Sequence, residues 1–540
     1  MRKSVVGKGI VVGITLLFFG TSISPCLTAG FTDVSETANI LTGTNSYHCL
    51  LDYYFIRNIT KNLSDIIFTY NESNGEIARG REFGSSGEHI AARILWENMS
   101  KLGLWTYNQS IGGARPWRPS NLIVSRIEAL EYRLTLRNNN NRCSFIVDCS
   151  PIIANIGPRL RPWKVTRNIS FNNLRLVSDF SSGDEGKVPY MILSGGTKTR
   201  DNAIPLEPFP TVSTGRLLQD LGKFFNRTRD YYLHPLWKGS ILYDSNKNEH
   251  DMWFSQSFVP KFSINGSIGQ KVEHQMGNYT VDFYLKQRFN LTVDSHNVIG
   301  QLNGSDPTKT VLVCCLYDSW WCQGTGDSAI GMAIVMGVAK YYQDHHITPK
   351  YTMKFIAFGG EEYGMRGSKY YQATHRCENI ICVIDLNQLG FTQVNPRLTL
   401  EIAANNQTFL DSVWKIVERT NYKALTNNTT DIIPRFMKEG HISDDRSFAS
   451  KRPNVSCKTV CFLKDGPWLM HHRDGLNHTA GDVFSYFNST DVNATGDMVV
   501  NVTQSITNGT ILAVSTQNDA GKPTTVLTLW DQFWLLGLRE

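Results

Sequence analysis

The chain has 540 residues, a formal net charge of +6, 41% hydrophobic residues and 19% charged residues. That length supports two or three domains with sizeable cores. A net charge this small, with no concentrated basic run, argues against nucleic acid as a partner, and the composition is that of an ordinary globular protein.

At the N-terminus, Arg2, Lys3 and Lys8 precede the apolar run Gly9–Gly20, and small residues follow near Ala29. This is the pattern of a secretory signal over residues 1–29. The run is short for a transmembrane span, so membrane contact is expected only if the segment is retained as an anchor. Asn-x-Ser/Thr sequons recur at Asn58, Asn98, Asn226, Asn278, Asn303, Asn406 and Asn501, which fits an exported glycoprotein at the cell surface or beyond it. Cysteines of an exported chain can pair. Cys143/Cys149, Cys377/Cys382 and Cys457/Cys461 are close in sequence, whereas Cys314 and Cys315 lie in an apolar run that suits buried thiols.

From Gly80, a Gly/Ser loop leads into an amphipathic helix in which Ile90, Ala91, Ile94, Leu95 and Met99 fall at helical spacing and Gly103 supplies the stop. Residues 121–280 have short β-like runs, among them LWKGSILYD, with scattered Pro and Gly and no helical period. They read as an inserted β-rich domain. The pattern then becomes α/β. VDSHNVIGQLNG and KTVLVCCLYD are strand candidates, the second a continuous apolar run suited to a buried strand. Ile330–Tyr342 is a helix candidate, and KYTMKFIAFGG and IICVIDLNQLG are further strands. Alternation of this kind predicts an α/β fold: a mostly parallel sheet flanked by helices. The segment after Asn488 suits a terminal helix or strand before an apolar tail.

Ligands of such sheets bind beyond the carboxyl ends of the strands. Asp318, Glu361, Glu362 and Asp385 or Asn387 all fall there, which predicts one site built from distant segments. Asp327, Glu362 and His478 are plausible ligands: two carboxylates and an imidazole, with a position left for water, suit catalytic zinc. His471 and His472 are equally available by spacing. Glu361 beside Glu362 is the natural general base. Trp320 and Trp321 would line a pocket or pack in the core.

In this order the motifs resemble the M28 family of zinc aminopeptidases and carboxypeptidases. GSSGE with the helix after it, SHNVIGQLNGSDP, YDSWW with GTGDSAIG, FGGEEYGMRGS, HISDDRSFAS and NHTAGD each resemble a family segment, and KGSILYD resembles part of a protease-associated domain. The resemblance implies a zinc-exopeptidase fold divided into a signal peptide (1–29), an N-terminal part of the catalytic domain (30–120), a protease-associated-like insert (121–280), the catalytic core (281–515) and a tail (516–540). It implies Asp327 as the bridging aspartate, Glu361 as the base, and Glu362 and His478 as zinc ligands, with NHTAGD selecting His478. Asp318 matches the carboxylate that orients an active-site histidine.

The chain departs from the family at Leu316, where members usually carry histidine. If DLNQLG aligns with Asn-Leu-Asp-x-x-Gly, Asn387 takes a second ligand position; another alignment keeps Asp385 as the ligand. The expectation is a secreted exopeptidase, an aminopeptidase in type, acting on peptides with one zinc. The alternatives are a single-zinc acyltransferase similar to the glutaminyl cyclases, and a non-catalytic binding protein on the same fold. Oligomeric state is not readable from these residues.

Overall fold

The structure is a computed structural model that describes residues 49–511, apart from 72–75, 112–125, 141–143, 148, 153–163, 178–202, 209–239, 244–260, 276–277, 291–293, 321, 391–398, 421, 423–425, 427–430, 442, 450–456 and 466–480. The expected leader and tail, Trp321, Cys143 and all three candidate histidines 471, 472 and 478 therefore lie outside the described residues.

In chain order the elements are α1 (Tyr53–Ser64), β1 (Phe68–Asn71), β2 (Glu76–Arg79), α2 (Ser86–Lys101), β3 (Trp105–Ile111), β4 (Arg126–Asn138), β5 (Ser144–Val147), β6 (Cys149–Ile152), β7 (Lys164–Val177), β8 (Ala203–Pro208), β9 (Ser240–Tyr243), β10 (Lys261–Ile264), α3 (Gly266–Glu273) and β11 (Tyr279–Asn290). There follow β12 (Ser295–Leu302), β13 (Asp306–Leu316), α4 (Ile330–Asp344), β14 (Tyr351–Phe358), α5 (Arg366–Thr374), β15 (Ile380–Asn387), β16 (Thr399–Ala404), α6 (Gln407–Val417), β17 (Asp431–Phe436), α7 (Arg446–Ala449), β18 (Lys458–Asp465) and α8 (Ser489–Thr507).

β1 and β2 pair in a small two-stranded sheet, and two eight-stranded sheets take the other strands. One runs β5-β4-β11-β7-β8-β9-β10-β6 and takes all its strands from residues 126–290, so its last strand continues past residue 280. The other runs β17-β16-β18-β15-β13-β14-β12-β3. Its centre is parallel: β13 pairs in parallel with β14 and β15, and β15 with β18. Antiparallel β12 and β3 complete one side.

The central strands read as unbroken apolar runs because helices cover both their faces. Val311, Val313 and Cys315 of β13 turn to a core shared with α1, α2, α4, α6 and α8. Leu312 and Cys314 alternate to the opposite core, where Tyr371 of α5 and Phe448 of α7 close over them. Every residue of β14 is buried. At β12, Gly300 admits Leu104, whose Cδ1 stands 2.7 Å from where a Cβ would be.

Helix starts follow their caps. Ser85 accepts from the Glu88 N–H at 3.2 Å, and Glu88 Oε2 accepts from the Gly84 N–H at 2.6 Å, so the Ser-x-x-Glu sequence fixes the beginning of α2. The close cysteine pairs are not formed where they are described. Cys377, Cys382, Cys457 and Cys461 are free thiols, as are the buried Cys314 and Cys315. The reason is extension: Cys461 lies inside β18 and Cys457 just before it, and four residues of extended chain span about 13 Å, more than a disulfide bridges. Trp320 packs with Phe83, Ile111 and Tyr363 in a small buried cluster, the core outcome of the two expected for it.

Candidate active site

The carboxyl ends of β13, β14 and β15 adjoin one another, because Leu316 pairs with Phe358 and Cys315 with Leu386. Three turns leave these ends and carry the expected site residues.

The turn after β14 holds Glu361 and Glu362. Gly360 takes a left-handed conformation (φ 72°), and a Cβ there would stand 2.4 Å from the Phe83 ring, so glycine is required. Asp318, fully buried, faces this turn: Oδ1 accepts from the Glu361 N–H at 3.1 Å and Oδ2 from the Glu362 N–H at 3.3 Å. One carboxylate thus fixes two consecutive peptide groups. Burial, followed by the Glu362 charge, pushes Asp318 up to about 8. Burial, then Glu362, Asp444, Asp318 and Asp327, push Glu361 well above the ordinary glutamate range.

The turn after β13 holds Asp327. It is kept in place by a residue that no periodicity marked. Arg81 is wholly buried, with Nε donating to the Tyr317 carbonyl at 2.7 Å, Nη1 to the Leu63 carbonyl at 3.1 Å and to the Gln323 carbonyl, and Nη2 to the Gly324 carbonyl at 2.9 Å. Gly324 is left-handed (φ 56°), and a Cβ there would meet the Asp327 carbonyl at 2.5 Å. Asp327 itself breaks the helical pattern (φ −111°, ψ 73°) just before α4. Asp482, the last residue of the NHTAGD segment, accepts from the Gly326 N–H at 2.8 Å and the Asp327 N–H at 3.2 Å. Burial pushes Asp482 up to about 7.

The turn after β15 begins at Asn387. Gln388 follows in a left-handed conformation (φ 50°), costly for a residue with a side chain, and its Nε2 reaches Asp327 Oδ2 at 3.5 Å. Asn387 donates through Nδ2 to Ser443 Oγ at 3.0 Å, while its buried Oδ1 has no hydrogen-bond partner among the described residues. Asp385 sits one strand repeat deeper, level with Cys314. Its Oδ2 accepts from the Asp445 N–H at 3.0 Å and its Oδ1 faces the Cys314 thiol at 3.7 Å. Ligand atoms of Asp385, Asp445 and Cys461 lie within 4.8 Å of one another in a buried group. Leu316 has no exposed surface and packs in the main core.

The structure therefore brings together Asp318, Asp327, Glu361 and Glu362. It places Asp385 in a neighbouring buried group, and the position of His478 lies outside the described residues. Arg81, Asp482 and Gln388 were missed as functional residues. Asp482 had a signal in the Asp that closes NHTAGD; Arg81 had none beyond its place ahead of the Gly/Ser loop. These buried carboxylates repel one another where water screens them little, and a divalent cation would supply the missing counter-charge. Oxygen donors from Asp327 and Glu362 with one imidazole fit zinc. The side holding Leu316 and Asn387 offers a cation fewer donors: leucine has none, and Asn387 offers only a neutral amide oxygen.

The family model "Peptidase family M28" matches residues 297–503. A probable zinc metalloprotease of Pyrenophora teres f. teres (strain 0-1) is 29% identical over 146 residues, which are 24% of this chain and 31% of that protein. A second, from Pyrenophora tritici-repentis (strain Pt-1C-BFP), is 27% identical over 146 residues, 24% of this chain and 33% of that protein. The chain thus matches about a third of the length of these curated relatives. Among solved structures, a peptidase M28 precursor from Shewanella amazonensis SB2B superposes with a TM-score of 0.59 at 14% identity, covering 88% of this chain and 96% of that one. BSAP, a zinc aminopeptidase from Bacillus subtilis, gives 0.53 at 17% identity, covering 84% and 94%. At such identities these two establish the fold.

Proposed function

We propose, from the match of residues 297–503 to the model of peptidase family M28 and from the site geometry, that the chain is a zinc-dependent exopeptidase, an aminopeptidase in type, with Glu361 as its general base and one zinc in the strand-end cleft. The reading is carried by one observation: Glu361 and Glu362 follow each other at the end of β14 with both backbone N–H groups held on Asp318. Consecutive side chains at a fixed turn diverge, so one carboxylate would face the metal and the other the substrate.

Asp327, Glu362 and His478 would hold the zinc, which when bound supplies a Lewis acid and lowers the pKa of a bound water. Glu361 takes the water proton and passes it to the leaving amine; burial and the neighbouring carboxylates raise its pKa, which favours holding the proton between the two steps. Asp318 holds the base in register through its peptide group. Arg81 and Asp482 keep the Asp327 turn from relaxing, and Gln388 steadies the Asp327 carboxylate. Leu316 offers no donor atom and Asn387 only a neutral amide oxygen, which is why the proposal counts one metal in the cleft. Export through a leader at residues 1–29 and an extracellular or cell-surface location belong to the same proposal.

The test is hydrolysis of short peptides with free and with acetylated N-termini, by wild-type and Glu361→Gln protein of equal zinc content. The proposal expects cleavage of the free peptides only, abolished by the substitution. Undiminished cleavage by Glu361→Gln would overturn it. Ammonia release from N-terminal glutamine, without peptide-bond cleavage, would assign the site to cyclisation chemistry of the glutaminyl cyclase kind.

A further inference from the structure

Outside the cleft, three metal-binding side chains meet where α2 begins and β12 begins. We propose that His89, Asp294 and His296 form a separate surface zinc site. Their ligand atoms all lie within 4.8 Å of one another. Two imidazoles and a carboxylate, with a further position open to water, make a borderline donor set that favours zinc over calcium or magnesium.

The hydrogen bonding prepares these side chains for a metal. His89 Nε2 lies 2.8 Å from the Asp294 carbonyl oxygen, which can only accept. The proton therefore sits on Nε2, and Nδ1 keeps its lone pair. A ring N–H given to a backbone carbonyl is the outer support that metal-binding histidines commonly have. Asp294 Oδ1 stands 3.7 Å from His296 Nε2. The two rings are 5.9 Å apart between centroids at 67°; two imidazoles on one tetrahedral zinc, with Zn–N near 2.0 Å, have centroids about 5 Å apart. Closing that gap takes small side-chain rotations. A surface ion pair accounts for Asp294 and His296, and the carbonyl bond for His89 Nε2; neither uses the lone pair on His89 Nδ1. His89 and Asp294 are exposed, so the metal has a way in.

The position gives the site a consequence. The same junction carries Ser295 Oγ bonded to Glu88 Oε1 at 2.8 Å. These two atoms and the His296 carbonyl crowd Gly359, each 2.7–2.8 Å from where its Cβ would be. Gly359 lies two residues before Glu361. The His296 carbonyl also accepts from the Tyr317 hydroxyl at 2.8 Å, next to Asp318. A metal clamping α2 to β12 therefore stiffens the frame behind both the base and its anchoring carboxylate.

The test is zinc titration of chelator-stripped full-length protein against a chromophoric zinc indicator. Wild type is compared with His89→Ala, Asp294→Ala and Glu362→Gln, with folding checked by circular dichroism. His89 and Asp294 are exposed, so their variants should fold. Each is expected to lose one equivalent of zinc or bind it roughly tenfold or more weakly, in line with the loss of a ligand. Glu362→Gln should retain that equivalent and lose a different one. Isotherms of His89→Ala and Asp294→Ala that superpose on wild type would overturn the surface site. A Glu362→Gln isotherm identical to wild type would instead count against the cleft metal and leave the surface site standing.

Discussion

The two sides of the strand-end cleft are built from neighbouring strands of one sheet, yet they treat charge in opposite ways. On one side Asp327, Glu361 and Glu362 gather with Asp318 and Asp482 behind them, and those two carboxylates spend themselves on backbone N–H groups. On the other, Leu316 is core, Asn387 is an amide tied to Ser443, and Asp385 is withdrawn one strand repeat and bonded to the Asp445 N–H. The first side is negative and rigid, the condition a cation and a base require. The second is neutral at its rim. The difference teaches that neighbouring strand ends of one sheet can present donors and apolar surface side by side, and under the proposed function the metal sits on the side of the base.

The largest expected effect falls on the charged side. Glu361→Gln keeps the turn and its bonds to Asp318 but removes the base, so kcat should fall roughly 10²–10⁴-fold with zinc content unchanged. Steady-state kinetics with metal analysis on the same sample checks both halves. On the neutral side the expectation is inverted. Leu316→Ala should cost about 2–5 kcal/mol in chemical denaturation through the cavity it leaves, while zinc stoichiometry stays as in wild type. Lost zinc there would place Leu316 in the metal framework and break the contrast.

His441 tests the neutral side by pH. Its backbone N–H holds the Asp445 carboxylate at 2.9 Å, and its own ring is buried. Burial first, then Arg435 and Arg446, lower its pKa from 6.5 to about 4. The unfolded state therefore takes up a proton between pH 6.5 and 4 that the folded state refuses. The stabilisation is complete above pH 6.5 and is lost as pH falls through that window, a change on the order of 3 kcal/mol. Denaturation midpoints of wild type and His441→Gln across this range should converge towards pH 4; parallel curves would contradict the assignment. A smaller effect is expected from Asp482→Ala, which orphans two buried N–H groups. About 1–3 kcal/mol of stability should go, with zinc affinity roughly 10–100-fold lower, by isothermal titration.

Much of this was legible in the chain. The unbroken run Val311–Leu316 and the strand ending at Gly359-Gly360 announced buried parallel strands, and strand-end placement singled out Glu361 and Glu362. Sequence could not order the support behind them. Arg81 acts through three carbonyls of a loop that has no period and a fourth at the end of α1, and hydrogen bonding of that kind leaves no pattern in residue spacing. The depth of Asp385 depends on strand register, which pairs it with Cys314 and leaves Asn387 at the rim; two residues along one strand look equivalent until their neighbours are aligned. Nearness in sequence likewise misled for the cysteines, since extended chain separates Cys457 from Cys461.

The most direct test is a crystal structure of the full chain grown with zinc, with anomalous differences collected at the zinc edge. The account predicts a peak within ligand distance of the Asp327 and Glu362 carboxylates and none between Leu316 and Asn387. A second peak beside Asn387, or an empty map at Asp327 and Glu362, would contradict it.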